Sequence, residues 1–294
     1  MAGKDYMVRA AAAEETVRAF AITSKNIVET ARKAHNTSPE VTAALGRTLS
    51  AAAMMGYMMK DPDDLLTIQI QGDGPVKGLT VTADSHGHVK GFPRVPVATM
   101  PPRNGKLNVG GAVGKGTLTV MKDLGLKKPY SGVVPLKSGE IADDITYYFA
   151  ASEQTPSSVG LGVLLTNENT VDVAGGFIVQ LMPDCPEDVI EVIEKNVSGI
   201  KSVTDLLKEG MTPEDLIQTV LSGLSITMND SHSAEFRCDC SRERVMKSIL
   251  SIGEKDLNEI LSDGEPIEVK CSFCGTAYRF ETSELSEAMK AAKA

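Results

Sequence analysis

Tryptophan is missing from this chain, and the other aromatics are scarce, with six Tyr and seven Phe in 294 residues. A core must therefore be assembled from Ala, Val, Ile, Leu and Met, and the 13 Met offer adaptable packing. No stretch approaches the roughly 18 apolar residues of a membrane span. The opening MAGKDYMVRA lacks the apolar centre of a secretory signal. Positive charge is also in deficit: 30 Lys and Arg against 39 Asp and Glu leave a net charge of −9. That balance counts against a dedicated nucleic-acid or anionic-membrane binder, whose contacts need a basic surface. Cysteine is absent from the first 184 residues. What is present, 42% hydrophobic and 23% charged residues, describes a globular chain, and we expect a cytoplasmic one.

Alternating residues predict strands over Tyr6–Ala13 and Val17–Thr23, followed by a helix over Lys25–His35. Ser38, Pro39 and Glu40 punctuate a second helix start, with Ser38 as the capping side chain. That helix runs to about Met59, where Asp61-Pro62 ends it. Strands follow over Leu65–Gln71, Leu79–Ala83, Val89–Phe92 and Gly116–Met121, with a Pro-rich loop over Val95–Lys106. A helix over Ile141–Ser152 precedes strands over Val159–Thr166 and Val171–Met182. Runs of strands separated by blocks of helix argue for an α+β fold, not a doubly wound sheet.

From Pro183 to about Asn229 the pattern changes to short helices, started at Pro186, at Ser202 with Asp205, and at Thr212-Pro213 with Asp215. Isolated helices below ~12–15 residues are marginal in water, so this stretch is ordered only by packing on something else. The tail predicts helices over Ser241–Ile252, with Val245, Met246, Ile249 and Ile252 on one side, and over Lys255–Leu261. Two strands, Ile267–Lys270 and Ala277–Phe280, flank the last cysteines. The expected organisation is a mixed-sheet α+β core domain with packed helices over 1–182, a metastable short-helix linker over 183–231, and a small zinc-binding lobe over 232–294.

Four of the five cysteines lie in the last 57 residues, as Cys238-Asp-Cys240, thirty residues, then Cys271-Ser-Phe-Cys274. In a reducing compartment, clustered cysteines point to metal or redox work. Two close pairs in one short segment suit tetrahedral Zn²⁺, which thiolates hold well. Gly275 is the residue a tight metal-binding turn wants. Buried unligated cysteines and an iron–sulfur cluster are weaker readings. A purely structural zinc is the serious rival, but Cys-x-Cys is an unusual half-site and each pair lies close enough to close on itself. A Cys-x-Cys bridge is tight, and strained bridges are easily reduced, which suits a reversible sensor. A structural zinc contributes on the order of 10–16 kcal/mol, comparable with the whole stability of a domain. Loss of the metal is therefore expected to unfold a lobe this small, and the neighbouring linker helices then loosen and bare their apolar sides.

Other motifs yield bland readings. GGAVGKGT over 110–117 misses the phosphate-loop spacing, because Lys115 is followed by Gly116, and reads as a turn. Met54, Met55, Met58 and Met59 form a helical stripe that reads as core packing before a client surface. His86 and His88 read as a solvated turn, and His35 as a helix-end residue. His232 lies near the cysteines, but four thiolates already fill a zinc shell. Glu140, Asp143 and Asp144 suit a helix N-terminal turn better than acid–base catalysis. Arg237, Arg242, Arg244, Lys270 and Arg279 surround the cysteine pairs in sequence, where they would offset thiolate charge or, alternatively, contact nucleic acid. Cys185 reads as a spectator at a helix start.

The stretches FRCDCSRERV (236–245) and EVKCSFC (268–274) are familiar, as are ALGRTLSAAA (44–53), GEIADDITYY (139–148), SEQTPS (152–157) and AGGFIVQ (174–180). On these the chain resembles the 33-kilodalton heat-shock chaperonin family, the bacterial redox-regulated holdases, over nearly its whole length. The resemblance is poorest around Val95–Lys106. It implies an ATP-independent chaperone, not an enzyme, that is inactive when reduced and bound to one Zn²⁺ through Cys238, Cys240, Cys271 and Cys274. It implies further that oxidation joins Cys238 to Cys240 and Cys271 to Cys274, releases zinc and unfolds the linker. The oxidised form, tending to a homodimer, then holds unfolding client proteins. A zinc-ribbon nucleic-acid-binding protein is the alternative, and an enzyme with a structural zinc comes third.

Overall fold

The computed structural model describes residues 3–200 and 202–293. These form two compact units, Met1–Arg237 and Cys238–Ala294. The boundary lies six residues beyond the expected end of the linker. In chain order the first unit contains β1 (Tyr6–Ala12), β2 (Val17–Thr23), α1 (Lys25–His35), α2 (Pro39–Tyr57), β3 (Leu65–Gly72), β4 (Gly78–Asp84), β5 (His88–Pro93), α3 (Val109–Val113), β6 (Gly116–Asp123), β7 (Tyr130–Pro135), α4 (Ala142–Ala151), β8 (Ser157–Leu165), β9 (Val171–Leu181), α5 (Glu187–Gly199), α6 (Val203–Lys208), α7 (Pro213–Val220), β10 (Ile226–Ser233) and β11 (Glu235–Phe236). The second contains α8 (Arg242–Leu250), α9 (Glu254–Ser262), β12 (Ile267–Lys270), β13 (Ala277–Phe280) and α10 (Thr282–Lys293). Mixed α+β architecture is thus as expected.

Two sheets organise the first unit, one in the order β10-β1-β2-β9-β8 and one in the order β11-β5-β4-β3-β6-β7. Helix α2 packs against strands of both. Its residues are buried nearly all round, from Glu40 to Gly56, as expected of a core helix that is apolar on every face. Small residues allow the close approach: a Cβ at Gly46 would lie 2.6 Å from a Val28 methyl and 2.9 Å from a Val163 methyl. Met54 and Met55 are fully buried here and Met58 and Met59 pack beside them, so the methionine stripe is core. Ser38 does not cap α2. Its hydroxyl instead donates to the Ala98 carbonyl at 2.6 Å, which pins the Pro-rich loop to the helix start.

Alternation along β1 and β2 serves two cores. Met7, Phe20 and Ile22 face the α2 side, whereas Val8, Ala10, Val17, Ala19 and Ala21 face α5–α7. The short helices thus find their cover on this sheet: Val189, Ile193, Leu207, Leu216, Ile217 and Val220 are buried against it. At ~1.5–3 kcal/mol for each fully buried aliphatic side chain, this packing supplies the order that helix propensity cannot. Thr212 and Asp215 form a full capping box, and at Ser202 the hydroxyl accepts from the Asp205 amide. Helix α5 spans 13 residues, longer than its sequence suggested, and Ile226–Ser233 is a strand where short helices and their connections were expected.

Strand β10 buries no side chain fully. It is held by its antiparallel ladder with β1 and by Asp230, which accepts from Arg9 (3.0 and 3.3 Å) and from the Tyr57 hydroxyl (2.5 Å). An exposed pair of this kind contributes at most ~1 kcal/mol. Strand β11 then pairs parallel with β5, so one short strap, 226–236, is stitched into both sheets. His88 sits under that strap, with Nδ1 2.9 Å from Asp84 and Nε2 2.9 Å from Arg237, so it is structural rather than a solvated turn.

Two buried carboxylates are unusual. Asp144 accepts the backbone N–H groups of Lys137, Ser138, Gly139 and Ile141 at 2.7–3.4 Å. This cage sustains the left-handed backbone of Ile141 (φ 72°), which a β-branched residue resists. The sequence reading of Asp143 and Asp144 as first-turn residues of a helix holds, and Glu140 pairs with Arg47 at 2.7 Å. We expect Asp144→Ala, by orphaning these donors beside a strained residue, to destabilise the first unit by about 3 kcal/mol in urea melts, with fold retained.

Asp5 accepts the Ile27 amide at 2.7 Å near the start of α1, and burial pushes its carboxyl up to about 6. The folded chain therefore binds a proton there that the unfolded chain, at an ordinary 3.8, does not. This contribution to stability is complete below about pH 3.8 and is lost as pH rises through about 6. Glu29, held near 2 by Arg32, works in the opposite sense and only below about 4.5. Between these limits the thermal midpoint of the first unit should rise on acidification, and Asp5→Asn should flatten that slope and raise the midpoint at neutral pH.

Candidate metal centre

The second unit has a small described core, with Ile249, Leu257, Phe280 and Leu285 buried together. Ser241 caps α8, its hydroxyl accepting the Arg244 amide at 3.3 Å. Val245 and Met246 line the core side of that helix as expected, but Ile252 is 46% exposed, because α8 ends at Leu250 and the chain turns away. Strands β12 and β13 pair antiparallel from Ile267–Phe280 to Lys270–Ala277 and present a knuckle between them. In the knuckle the Cys271 amide donates to the Thr276 carbonyl (2.9 Å) and the Gly275 amide to the Cys271 carbonyl (2.8 Å). Gly275 takes φ 74°, the left-handed conformation anticipated for it.

This knuckle and the Cys238–Cys240 segment bring four sulfurs together, all within 4.8 Å of one another and all half-buried. Two hydrogen-bonding contacts cross between the two halves, Cys238 to Cys271 at 3.7 Å and Cys240 to Cys274 at 3.4 Å. A tetrahedral zinc with Zn–S bonds of about 2.3 Å has S–S edges of about 3.8 Å. The sulfurs are thus spaced for one such ion, and all four thiols are free. Among the described residues no other group of three or more His, Cys, Asp or Glu is arranged to hold a metal.

The electrostatics of the sulfur ring follow from crowding. Burial, aided by the neighbouring thiols, pushes the Cys238 thiol up to about 12, and burial raises Cys240 as well. At Cys274 burial opposes ionisation, but hydrogen bonds from the Thr276 side chain and backbone, with help from Cys240 and Cys238, outweigh it and bring the thiol down to about 7. Thr276 Oγ1 lies 3.2 Å from the Cys274 sulfur, and the Tyr278 hydroxyl 3.2 Å from that of Cys240. That hydrogen bond, and burial with it, raises the Tyr278 phenol to about 12. The Cys274 thiolate forms readily while Cys238 and Cys240 resist; a dication among the sulfurs would remove that resistance.

Sequence reasoning assigned the charge compensation to arginine and lysine, and the structure corrects this. Arg242 pairs with Glu284 (2.6 Å) and lies over the Phe280 ring; Arg244 pairs with Asp239. Lys270 pairs with Glu268 at 3.7 Å and Arg279 with Glu281 at 3.6 Å. Arg237 belongs to the first unit, at His88 and Glu235. Carboxylates within reach neutralise these cations, which also removes the charge argument for a nucleic-acid face. The true sulfur partners, Thr276 and Tyr278, are neutral hydroxyl groups: the Cys274 thiol donates to Thr276 Oγ1, and Cys240 shares a hydrogen bond with the Tyr278 hydroxyl. Their signal was their place just after the knuckle, Thr276 before β13 begins and Tyr278 opposite Val269.

The remaining candidates are placed elsewhere. His232 stacks on Tyr57, ring centroids 5.5 Å apart, in the first unit. Cys185 packs at the margin of the α5–α7 core. The 110–117 segment is a short helix and a tight turn, with the Lys115 amide donated to Asp73 at 2.7 Å.

An α+β protein of two units, one carrying a four-cysteine cluster, is thus defined by the fold and the site. The family model described as Hsp33 protein matches residues 5–281. The 33 kDa chaperonin of Agathobacter rectalis is 56% identical over 284 residues, 96% of this chain and 99% of that relative. The 33 kDa chaperonin of Clostridioides difficile is 50% identical over 291 residues, covering 98% and 99%. The crystal structure of the 33 kDa chaperonin, a heat shock protein 33 homologue, from Thermotoga maritima aligns over 99% of both chains with a TM-score of 0.91 at 33% identity. This chain belongs to the Hsp33 family, and its relatives carry the name of a chaperone. No described helix is long and apolar enough to cross a membrane. Gly275→Ala forces an L side chain into the left-handed region, at a cost of about 1–2 kcal/mol. Calorimetry of the reduced full chain should show the second unit melting earlier than in the unsubstituted protein.

Proposed function

We propose that the protein is a redox-regulated, ATP-independent holdase of the cytoplasm, not an enzyme, whose switch is the four-cysteine cluster. The observation that carries this reading is the convergence of Cys238, Cys240, Cys271 and Cys274 within 4.8 Å, on a unit with so small a described core. Reduced, the four sulfurs hold one Zn²⁺, which supplies the cross-link that such a unit lacks. Each disulfide forms when two thiolates surrender two electrons to an oxidant such as a peroxide, which is reduced to water with uptake of two protons. Two disulfides, Cys238–Cys240 and Cys271–Cys274, consume all four ligands. Pairing within each half is favoured once the knuckle loosens, because its partners stay close in sequence while partners across the halves are 31 to 36 positions apart.

The working division is a core over 1–182, a metastable linker over 183–231 and a switch over 232–294. The strap 226–236, stitched to both sheets and lightly held, leads straight into Cys238, so unravelling the second unit frees the strap's far end. Release of β10 and α5–α7 bares Val189, Ile193, Leu216, Ile217 and Val220 together with the sheet face beneath them. Apolar surface of that extent binds unfolding client proteins and favours a homodimer of the oxidised form. The division of labour differs in one respect from expectation: the linker's apolar residues are covered by the sheet of the first unit. Its release therefore needs loss of the strap.

Reduced protein should contain about one zinc per chain. Peroxide with mild heat should release it, yield the two disulfides on peptide mapping, lower far-ultraviolet helical signal and suppress aggregation of a chemically denatured client. Light scattering of the client unchanged by fully oxidised, zinc-free protein would sink the holdase reading.

A further inference from the structure

The four sulfurs lie within 4.8 Å of one another, but their other neighbours differ. Two of them touch a hydroxyl: Cys274 lies 3.2 Å from Thr276 Oγ1, and Cys240 lies 3.2 Å from the Tyr278 hydroxyl. These contacts differ in kind. Thr276 is two positions from Cys274, on the same knuckle, and it is exposed. Tyr278 is 38 positions from Cys240, so its bond crosses from the knuckle to the Cys238–Cys240 half of the cluster. Strand β13 holds Tyr278 in place opposite Val269, and its ring packs against the core of Ile249, Leu257, Phe280 and Leu285. A tyrosine has only two side-chain torsions, so a hydroxyl anchored in this way stays where the fold puts it.

Zinc ligation fixes the direction of both bonds. A thiol can donate to a hydroxyl, but a sulfur that binds Zn²⁺ is a thiolate and has no proton to give. In the loaded protein the hydroxyls of Tyr278 and Thr276 are therefore the donors. Ease of ionisation no longer separates the four sulfurs there; the hydrogen bonds they receive do. An O–H donated to a thiolate occupies a lone pair that would otherwise attack an oxidant. It also orients the ligand, and loss of such an outer partner typically costs 10–100-fold in metal affinity.

We propose that Tyr278 sets how much oxidant the switch requires: its hydroxyl, donated across the cluster to Cys240, holds that sulfur on the metal and shields it from peroxide. This role rests on the redox reading of the cluster and adds to it a positioning residue outside the four ligands. The step restrained is attack of the Cys240 sulfur on one peroxide oxygen. An S–O bond forms, the O–O bond breaks and hydroxide leaves, so that Cys240 becomes a sulfenic acid. The Cys238 thiolate then displaces the sulfenic oxygen as a second hydroxide and closes the Cys238–Cys240 disulfide. Two electrons pass from the sulfurs to peroxide, and two protons convert the hydroxides to two waters. Thr276, solvated and beside its own ligand, restrains Cys274 alone.

The test uses the full-length protein, reduced and loaded with zinc, and the variants Tyr278→Phe and Thr276→Val. Each removes one hydroxyl and keeps the ring or the branched shape. Tyr278→Phe should weaken zinc about tenfold in competition with a chromogenic chelator, and should speed peroxide-driven zinc release by about the same factor. Iodoacetamide labelling of the loaded proteins, followed by peptide mapping, separates shielding from general loosening. Tyr278→Phe should raise labelling of Cys240 several-fold relative to Cys271, whereas Thr276→Val should raise Cys274 and leave Cys240 as it was. A loosened unit would raise all four cysteines together. Such a uniform rise, unchanged labelling of Cys240 in Tyr278→Phe, or zinc release by peroxide no faster than in the unsubstituted protein would each overturn the proposal. If Cys240 alone becomes reactive while oxidised protein protects no client, the role of Tyr278 stands and the holdase reading falls. If clients are protected and the labelling pattern does not move, the role of Tyr278 falls and the holdase reading stands.

Discussion

Four thiols within 4.8 Å of one another cannot all ionise unless a cation lies between them. That constraint governs the second unit. Its sheet has two short strands, and its helices meet over a core centred on Phe280 and Leu285. With so little apolar surface to bury, this unit has in its four clustered sulfurs a place where one metal ion could supply a strong cross-link.

The first unit obeys a different logic. A helix buried on all sides, α2, holds two sheets at a separation set by glycine and alanine, and this core owes nothing to metal. Order falls off away from it. The five-stranded sheet shares its outer face with α5–α7, helices too short to persist alone, and their continuation, β10, is held by a backbone ladder and a solvent-exposed carboxylate cluster. The chain thus runs from a helix-centred core, through short helices packed on its sheet, to a tail that carries four clustered cysteines.

Much of this was legible in the sequence. Strands β1, β2, β3, β8 and β9 and helices α1, α2 and α4 lie close to where alternation and punctuation predicted them, because each carries a strong local pattern. The cysteine cluster was legible for the same reason. Strands β7, β10 and β11 and helices α3 and α10 were not. Gly132 and Pro135 interrupt β7, and the polar run ITMNDSHS of β10 has little strand propensity of its own; both are strands because a neighbour recruits them. Ser38 was misassigned as a cap for a related reason: its hydroxyl had a nearer partner in Ala98, sixty residues away.

Residue type and short spacing therefore determined, from the sequence by itself, that four cysteines would gather in one place, that the fold would mix strands with helices, and that the short helices after Pro183 would pack on something else. These are local properties, and the chain states them locally. Tertiary structure alone decided what supplies the support, which donors touch the sulfurs, where the arginines spend their charge, and which strand is left at a sheet edge. Each of those outcomes depends on competition among groups far apart in the chain, and only the folded arrangement settles which partner is nearest.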